Sequence, residues 1–207
     1  MTVVTARKGL TLIELLVTVA VMAITAALVI PSMNSTGVLR VQAAARTVVS
    51  DITLAQTEAM AFQVRRGIFF NAVSDGNGGY KAGNGYVVAE PTSVPLALGN
   101  LASYELTMPD DPSVAYARDF ERYAERFGGA TVTGASFDDV SVLYIDELGA
   151  PMRFGDPGGG GVPEALPGNG GNLTIEAPGM NVGYEITVDT MTGRVDVRRV
   201  ELDGAAG

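Results

Sequence analysis

Apolar and polar positions divide this chain into three stretches. From Leu10 to Ile30 the side chains are apolar, small or threonine, and Glu14 is the one charge among them. About 20 apolar residues rising ~1.5 Å each cover the ~30 Å hydrocarbon core of a bilayer, so this run predicts a membrane-spanning helix. A carboxylate inside such a helix costs roughly 2.5–3.5 kcal/mol on insertion scales, which marks Glu14 as a functional candidate. The plainer reading is that Glu14 lies one turn from the polar flank and reaches back to water.

From Ser35 the pattern becomes periodic. Val41, Ala45, Val48, Ile52, Ala55, Ala59 and Phe62 alternate steps of four and three, one apolar stripe on an amphipathic helix. Arg40, Arg46, Asp51 and Glu58 fall off that stripe. The seven-residue period also suits a coiled coil, but an Ala-rich stripe leading into strand-like sequence favours packing on a sheet. Joined, residues 10–63 would extend about 80 Å. Pro31 lacks a backbone donor and predicts a bend or local melting.

Beyond Arg65-Arg66-Gly67 the signals are those of strands. Ile68-Phe69-Phe70 and Tyr86-Val87-Val88-Ala89, with Gly/Asn-rich turns at 75–79 and 83–85, predict a hairpin. Further strands are expected at 140–145, 151–154, 173–177, 184–189 and 193–200, with a tight turn at Met191-Thr192-Gly193. Ala117, Phe120, Tyr123, Ala124 and Phe127 have helical spacing, predicting a short helix over 113–127 within an insert at about 109–130. Residues 155–172, rich in Gly, Pro and Asn, predict a mobile surface loop. The expected fold is α+β: a long amino-terminal helix packed on an antiparallel sheet domain.

Arg7 and Lys8 precede the apolar run, and no acidic residue does, which orients the amino end to the cytoplasm and the rest outward. A secretory signal has a shorter apolar part and a small-residue cleavage site, neither of which is found here. Lys8-Gly9-Leu10-Thr11-Leu12-Ile13-Glu14 resembles the class III signal of type IV pilins and type II secretion pseudopilins. In that family a basic leader ends in Gly, followed by an aromatic or apolar residue, Thr, Leu, any residue and Glu. Leu10 stands where Phe is commonest. The resemblance implies a leader of residues 1–9, cleavage between Gly9 and Leu10 by a membrane prepilin peptidase, and N-methylation of Leu10. It also implies a filament-core span over 10–30, with Thr11, Glu14 and Pro31 serving assembly. An amphipathic helix over 31–63 would then lead into a β-rich periplasmic domain over 64–207.

Within that family, Thr53-Leu54-Ala55-Gln56-Thr57-Glu58-Ala59 and Thr192-Gly193-Arg194-Val195 look most like the GspH/FimT branch, the H-type minor pseudopilins and their pilus relatives. Some pilus relatives bind DNA through a basic carboxyl-terminal Gly-Arg-x-Arg element. Here Asp196 replaces the second Arg, and Arg194 and Arg198 share a strand face with it. That pattern suits a neutralised outer face better than a phosphate track.

Composition narrows the chemistry. The chain carries 14 basic and 23 acidic side chains, a net charge of −9; loss of Arg7 and Lys8 with the leader would take it to −11. An acidic exported domain argues against general nucleic-acid affinity. With no cysteine there is no disulfide or thiolate metal site, and with no histidine there is no His-based triad. Residues 155–161 lack the ending of a phosphate loop. Asp75-Gly76-Asn77-Gly78-Gly79 starts like a calcium loop, but Tyr86 stands where the bidentate Glu belongs. Some pseudopilins bind calcium through loop carboxylates; no such site is assigned here. Asp110-Asp111, Asp138-Asp139 and Asp146-Glu147 read as solvated loop charges.

No catalytic constellation, cofactor site or metal site is expected. The family implies a minor pseudopilin in a periplasm-spanning filament, held in the inner membrane by one span and joined to other pseudopilins through its helix. An inner-membrane assembly platform would be a further partner. A minor pilin of a type IV pilus, serving adhesion, motility or DNA uptake, is the nearest alternative. An anchored periplasmic binding domain that never polymerises is the alternative from another class.

Overall fold

The computed structural model describes residues 11–92, 94–155, 164–176, 179 and 181–202, and for 26–36 the backbone alone. The chain divides into two units, Met1–Gly37 and Val38–Gly207. The first helix, α1 (Leu12–Phe62), is shared between them. Its helical backbone is unbroken at Pro31, so the local melting expected there does not occur; a proline removes only one donor from the ladder. Among the described residues no helix is long and apolar enough to cross a membrane. Side chains are described to residue 25 of the apolar run.

At its far end α1 stops on Gln63, whose φ of 54° is left-handed. Val64 N–H donates to the Ala59 carbonyl at 3.2 Å, the long bond of a Schellman ending. A glycine is the usual residue at such a position. Here the Gln63 side-chain amide helps by donating to the carbonyls of Met60 (2.8 Å) and Glu147 (3.3 Å).

In the second unit the chain forms β1 (Arg66–Ser74), β2 (Tyr80–Ala89), a short 3₁₀ turn (Leu101–Ser103), β3 (Ala117–Asp119) and α2 (Ala124–Phe127). There follow β4 (Thr131–Phe137), β5 (Val142–Ile145), β6 (Pro151–Phe154), β7 (Ala165–Pro167), β8 (Gly171–Glu176), β9 (Val182–Val188) and β10 (Val195–Glu201). All pairings are antiparallel. One sheet runs β3-β2-β1-β5-β6-β7 and the other β10-β9-β8-β4.

The principal core gathers α1 with the inward faces of both sheets. Val41, Ala45, Val48, Ile52, Ala55 and Ala59 are buried, as the four-three spacing predicts, against Ile68, Phe70, Leu143, Leu173, Ile175 and Ile186. Phe62, the last member of the stripe, is 67 % exposed because α1 ends there. Strand alternation sends Val87, Ala89, Val142 and Tyr144 to a second core on the opposite face of the six-stranded sheet, together with Leu96, Leu101 and Met152. Burial on both faces explains why β5 reads as a continuous apolar run.

Three further expectations are corrected. Residues 83–85 are not a turn: they bulge out of β2 opposite Asn71, between the pairs Phe70↔Tyr86 and Ala72↔Ala82. A Cβ on Gly85 would overlap the Arg118 carbonyl oxygen, so only glycine allows β3 to lie this close. Residues 113–127 are not one helix. Ala117–Asp119 pairs with β2 as β3, and helix is confined to Ala124–Phe127. Of the residues behind that spacing, Phe120 enters the core from irregular chain and Phe127 from α2. Part of the Gly-rich segment forms strand, since β7 and the start of β8 lie within 155–172; residues 156–163 fall outside the described residues.

Candidate functional site at the amino-terminal helix

Thr11 precedes α1, and Glu14 sits in its first turn. Glu14 N–H donates to Thr11 Oγ1 at 3.3 Å, and Thr11 N–H points back to Glu14 Oε2 at 3.5 Å. Thr-x-x-Glu is thus a capping box, satisfying donors that the helix start leaves open. The return contact is at the long limit of a hydrogen bond, so it holds the carboxylate only loosely. The sequence carries this capping signal as well as the assembly motif that the resemblance assigns to residues 11 and 14.

The surface that follows is apolar and open. Leu12, Ile13, Leu15, Leu16, Val17, Val19, Val21, Met22 and Ile24 are each more than half exposed. The polar groups among them turn inward on the helix: Thr18 Oγ1 donates to the Leu15 carbonyl (2.8 Å), and Thr25 Oγ1 to those of Val21 (3.0 Å) and Met22 (2.9 Å). Their hydroxyls therefore ask nothing of the surroundings. Across residues 12–25, Glu14 alone presents a charge. Contiguous apolar surface of this kind marks a protein or membrane contact.

Of the residues singled out by sequence, Thr11 and Glu14 are brought together. Pro31 lies in the helical backbone of α1, and Gly9 and Leu10 lie outside the described residues.

The second unit holds two ion-pair clusters that spacing did not reveal. Asp51 and Glu58, off the apolar stripe, are not simply solvated. Asp51 is buried and accepts from Tyr86 Oη (2.6 Å) and Arg118 Nε (2.9 Å). Burial, then the Asp51 charge, holds the Tyr86 phenol well above its usual range. Burial followed by Asp51 also raises Tyr116. Buried Arg66 joins Glu58 (3.3 Å) to Glu90 (2.7 Å). Both clusters tie α1 to the sheet and its insert, and every member has a partner, as buried charge requires.

At the carboxyl end, Arg194 pairs with Asp196 at 2.6 Å and Arg198 pairs with Glu185. These pairs neutralise the outer face of β10, as alternation suggested. Arg199 lies on the other face. The Asp75 carboxylate accepts Asn77 N–H (2.7 Å) and Gly79 N–H (3.0 Å), which lower its pKa in that order and fix the hairpin turn. Among the described residues no group of three acidic side chains converges as a metal site.

Residues 5–30 match the family model described as the prokaryotic N-terminal methylation motif, the signature of type IV pilins and pseudopilins. The match supports a pilin-like family for the chain. It covers residues 5–9 of the expected leader, the proposed cleavage point, Glu14 and the apolar run. Comparison with curated proteins and with solved structures gave no match.

Proposed function

We propose that this chain is a minor pseudopilin of the H-type branch and a structural subunit of a type II secretion filament. Cleavage after Gly9 frees the Leu10 amine, which is then N-methylated. Residues 10–30 hold the subunit in the inner membrane before assembly and enter the filament core afterwards, with the second unit in the periplasm. Glu14 pairs with the Leu10 ammonium of a neighbouring subunit. The observation that carries this reading is a lone, loosely held carboxylate in an otherwise apolar, exposed helix surface within the methylation motif. Such a charge is costly in a dry bundle unless an opposite charge meets it, so pairing selects one axial register between subunits. The role is structural, and other subunits, a prepilin peptidase and an assembly platform are the partners.

Glu14→Gln tests the pairing separately from the cap. Gln serves a capping box as Glu does, while the charge is lost. The variant should be cleaved normally and inserted, yet fall at least about tenfold in filament incorporation, as loss of one partner of a buried pair implies. Incorporation equal to that of the parent in sheared-filament immunoblots would overturn the pairing. Co-purification with secretion or with pilus outer-membrane partners separates the H-type reading from a type IV pilus minor pilin.

A further inference from the structure

The four-stranded sheet ends at β10, whose outer edge has no partner strand among the described residues. Beside it lies a groove of about 440 Å³ between α1 and the sheet. Ala45 and Val49 of α1 and Tyr184 and Val197 of the sheet give it apolar walls, and Arg46 and Arg199 also line it. Val195, Val197 and Arg199 pair across β9 with the buried Val188, Ile186 and Tyr184, so they occupy the core-facing side of β10. Yet Val197 is 47 % exposed. The core is left open at this strand.

The charges at the groove are equally one-sided. No carboxylate lines it, although the chain has 23 acidic side chains against 14 basic ones. Arg198, on the opposite face of the same strand, and Arg194, just before it, each have an acidic partner. Neither Arg46 nor Arg199 has an ion-pair partner among the described residues.

We propose that the groove and the free β10 edge together accept an extended acidic segment of another polypeptide, added to the sheet as a fifth strand. Its backbone takes the unpaired N–H and C=O groups of the edge. Its inward face reads acidic, apolar, acidic at alternate residues, setting the apolar side chain on Val197 and Val49 and the carboxylates on Arg46 and Arg199. An anionic lipid could meet the arginines but has no backbone to offer the edge. The proposal concerns residues 38–207 and stands whether or not the amino-terminal helix polymerises.

The test uses the full-length chain in neutral detergent and two fluorescein-labelled peptides. One is Thr-Glu-Thr-Val-Thr-Glu-Thr; the other has Lys in place of both Glu. By anisotropy at low salt the Glu peptide should bind about tenfold tighter than the Lys peptide, and the R46E/R199E variant should reverse that order. Tertiary circular dichroism of R46E/R199E that matches the parent's places the gained preference for Lys in the folded protein. The single variants Arg46→Gln and Arg199→Gln should each weaken the Glu peptide about threefold. Equal binding of both peptides, or indifference to all these substitutions, would overturn the proposal. Displacement of the Glu peptide by phosphatidylglycerol vesicles at matched anionic charge would instead assign the groove to a lipid headgroup.

Discussion

At the scale of single residues, Asp51 and Glu14 each place a carboxylate in apolar surroundings, with opposite solutions. Asp51 is closed off within its own fold by Tyr86 and Arg118, so its charge is satisfied internally. Among the described residues Glu14 has only a long contact, from its own Thr11, and faces outward. The first arrangement makes a pH prediction. A tyrosine titrates at about 10 when unfolded, and the folded Tyr86 phenol holds its proton to higher pH. Its contribution to stability is therefore whole below about pH 10 and is lost as pH rises towards the folded value. Tyr86→Phe removes a hydrogen bond to a charged group, a loss of about 1.5–3 kcal/mol at pH 8. Urea unfolding followed by tertiary circular dichroism should show that gap narrowing above about pH 10, because the parent alone loses the Tyr86 share. A gap that stays constant or widens would mean the phenol is not held protonated by the fold.

At the scale of elements, periodicity was reliable where one stripe faced one core. The α1 stripe from Val41 to Ala59 packs as its spacing predicts, and strands β5, β6, β9 and β10 fall within two residues of their sequence positions. It misled where several cores compete for apolar residues. Ala117, Phe120, Tyr123, Ala124 and Phe127 mimic a helix over 113–127, yet non-local pairing with β2 draws Ala117–Asp119 into a strand. Nothing in the local pattern distinguishes Asp51 or Glu58 from a solvated helix face, since Arg118 and Arg66 reach them from distant parts of the chain. The glycines at 83–85 signal a break in regular structure, but their role is close approach rather than a turn. Gly85→Ala would force a Cβ onto the Arg118 carbonyl and should cost upwards of about 2 kcal/mol, by the backbone shift it demands. Gly78→Ala, at a left-handed position with open space around it, should cost only about 1 kcal/mol. Thermal melts giving equal losses for the two would show that β3 does not depend on the bulge for its place.

At the scale of the whole molecule, the amino-terminal segment and the groove beside β10 differ in how far the sequence reveals them. The amino-terminal segment was legible because its signal is local: a basic flank, a glycine, a glutamate and an apolar run in fixed order, though not the cap that Thr11 and Glu14 form. The groove beside β10 was not legible. Alternation assigns Arg194 and Arg198 to one strand face, but the opening between Arg46 and Arg199 depends on where α1 stops covering the sheet. The account as a whole rests on a processed amino terminus, since only a freed Leu10 amine gives Glu14 an opposite charge to meet. Amino-terminal sequencing and mass spectrometry of the membrane-bound protein test this directly. The account predicts a chain beginning at Leu10 with an N-methylated amine. A chain that keeps Arg7, Lys8 and Gly9 would contradict it.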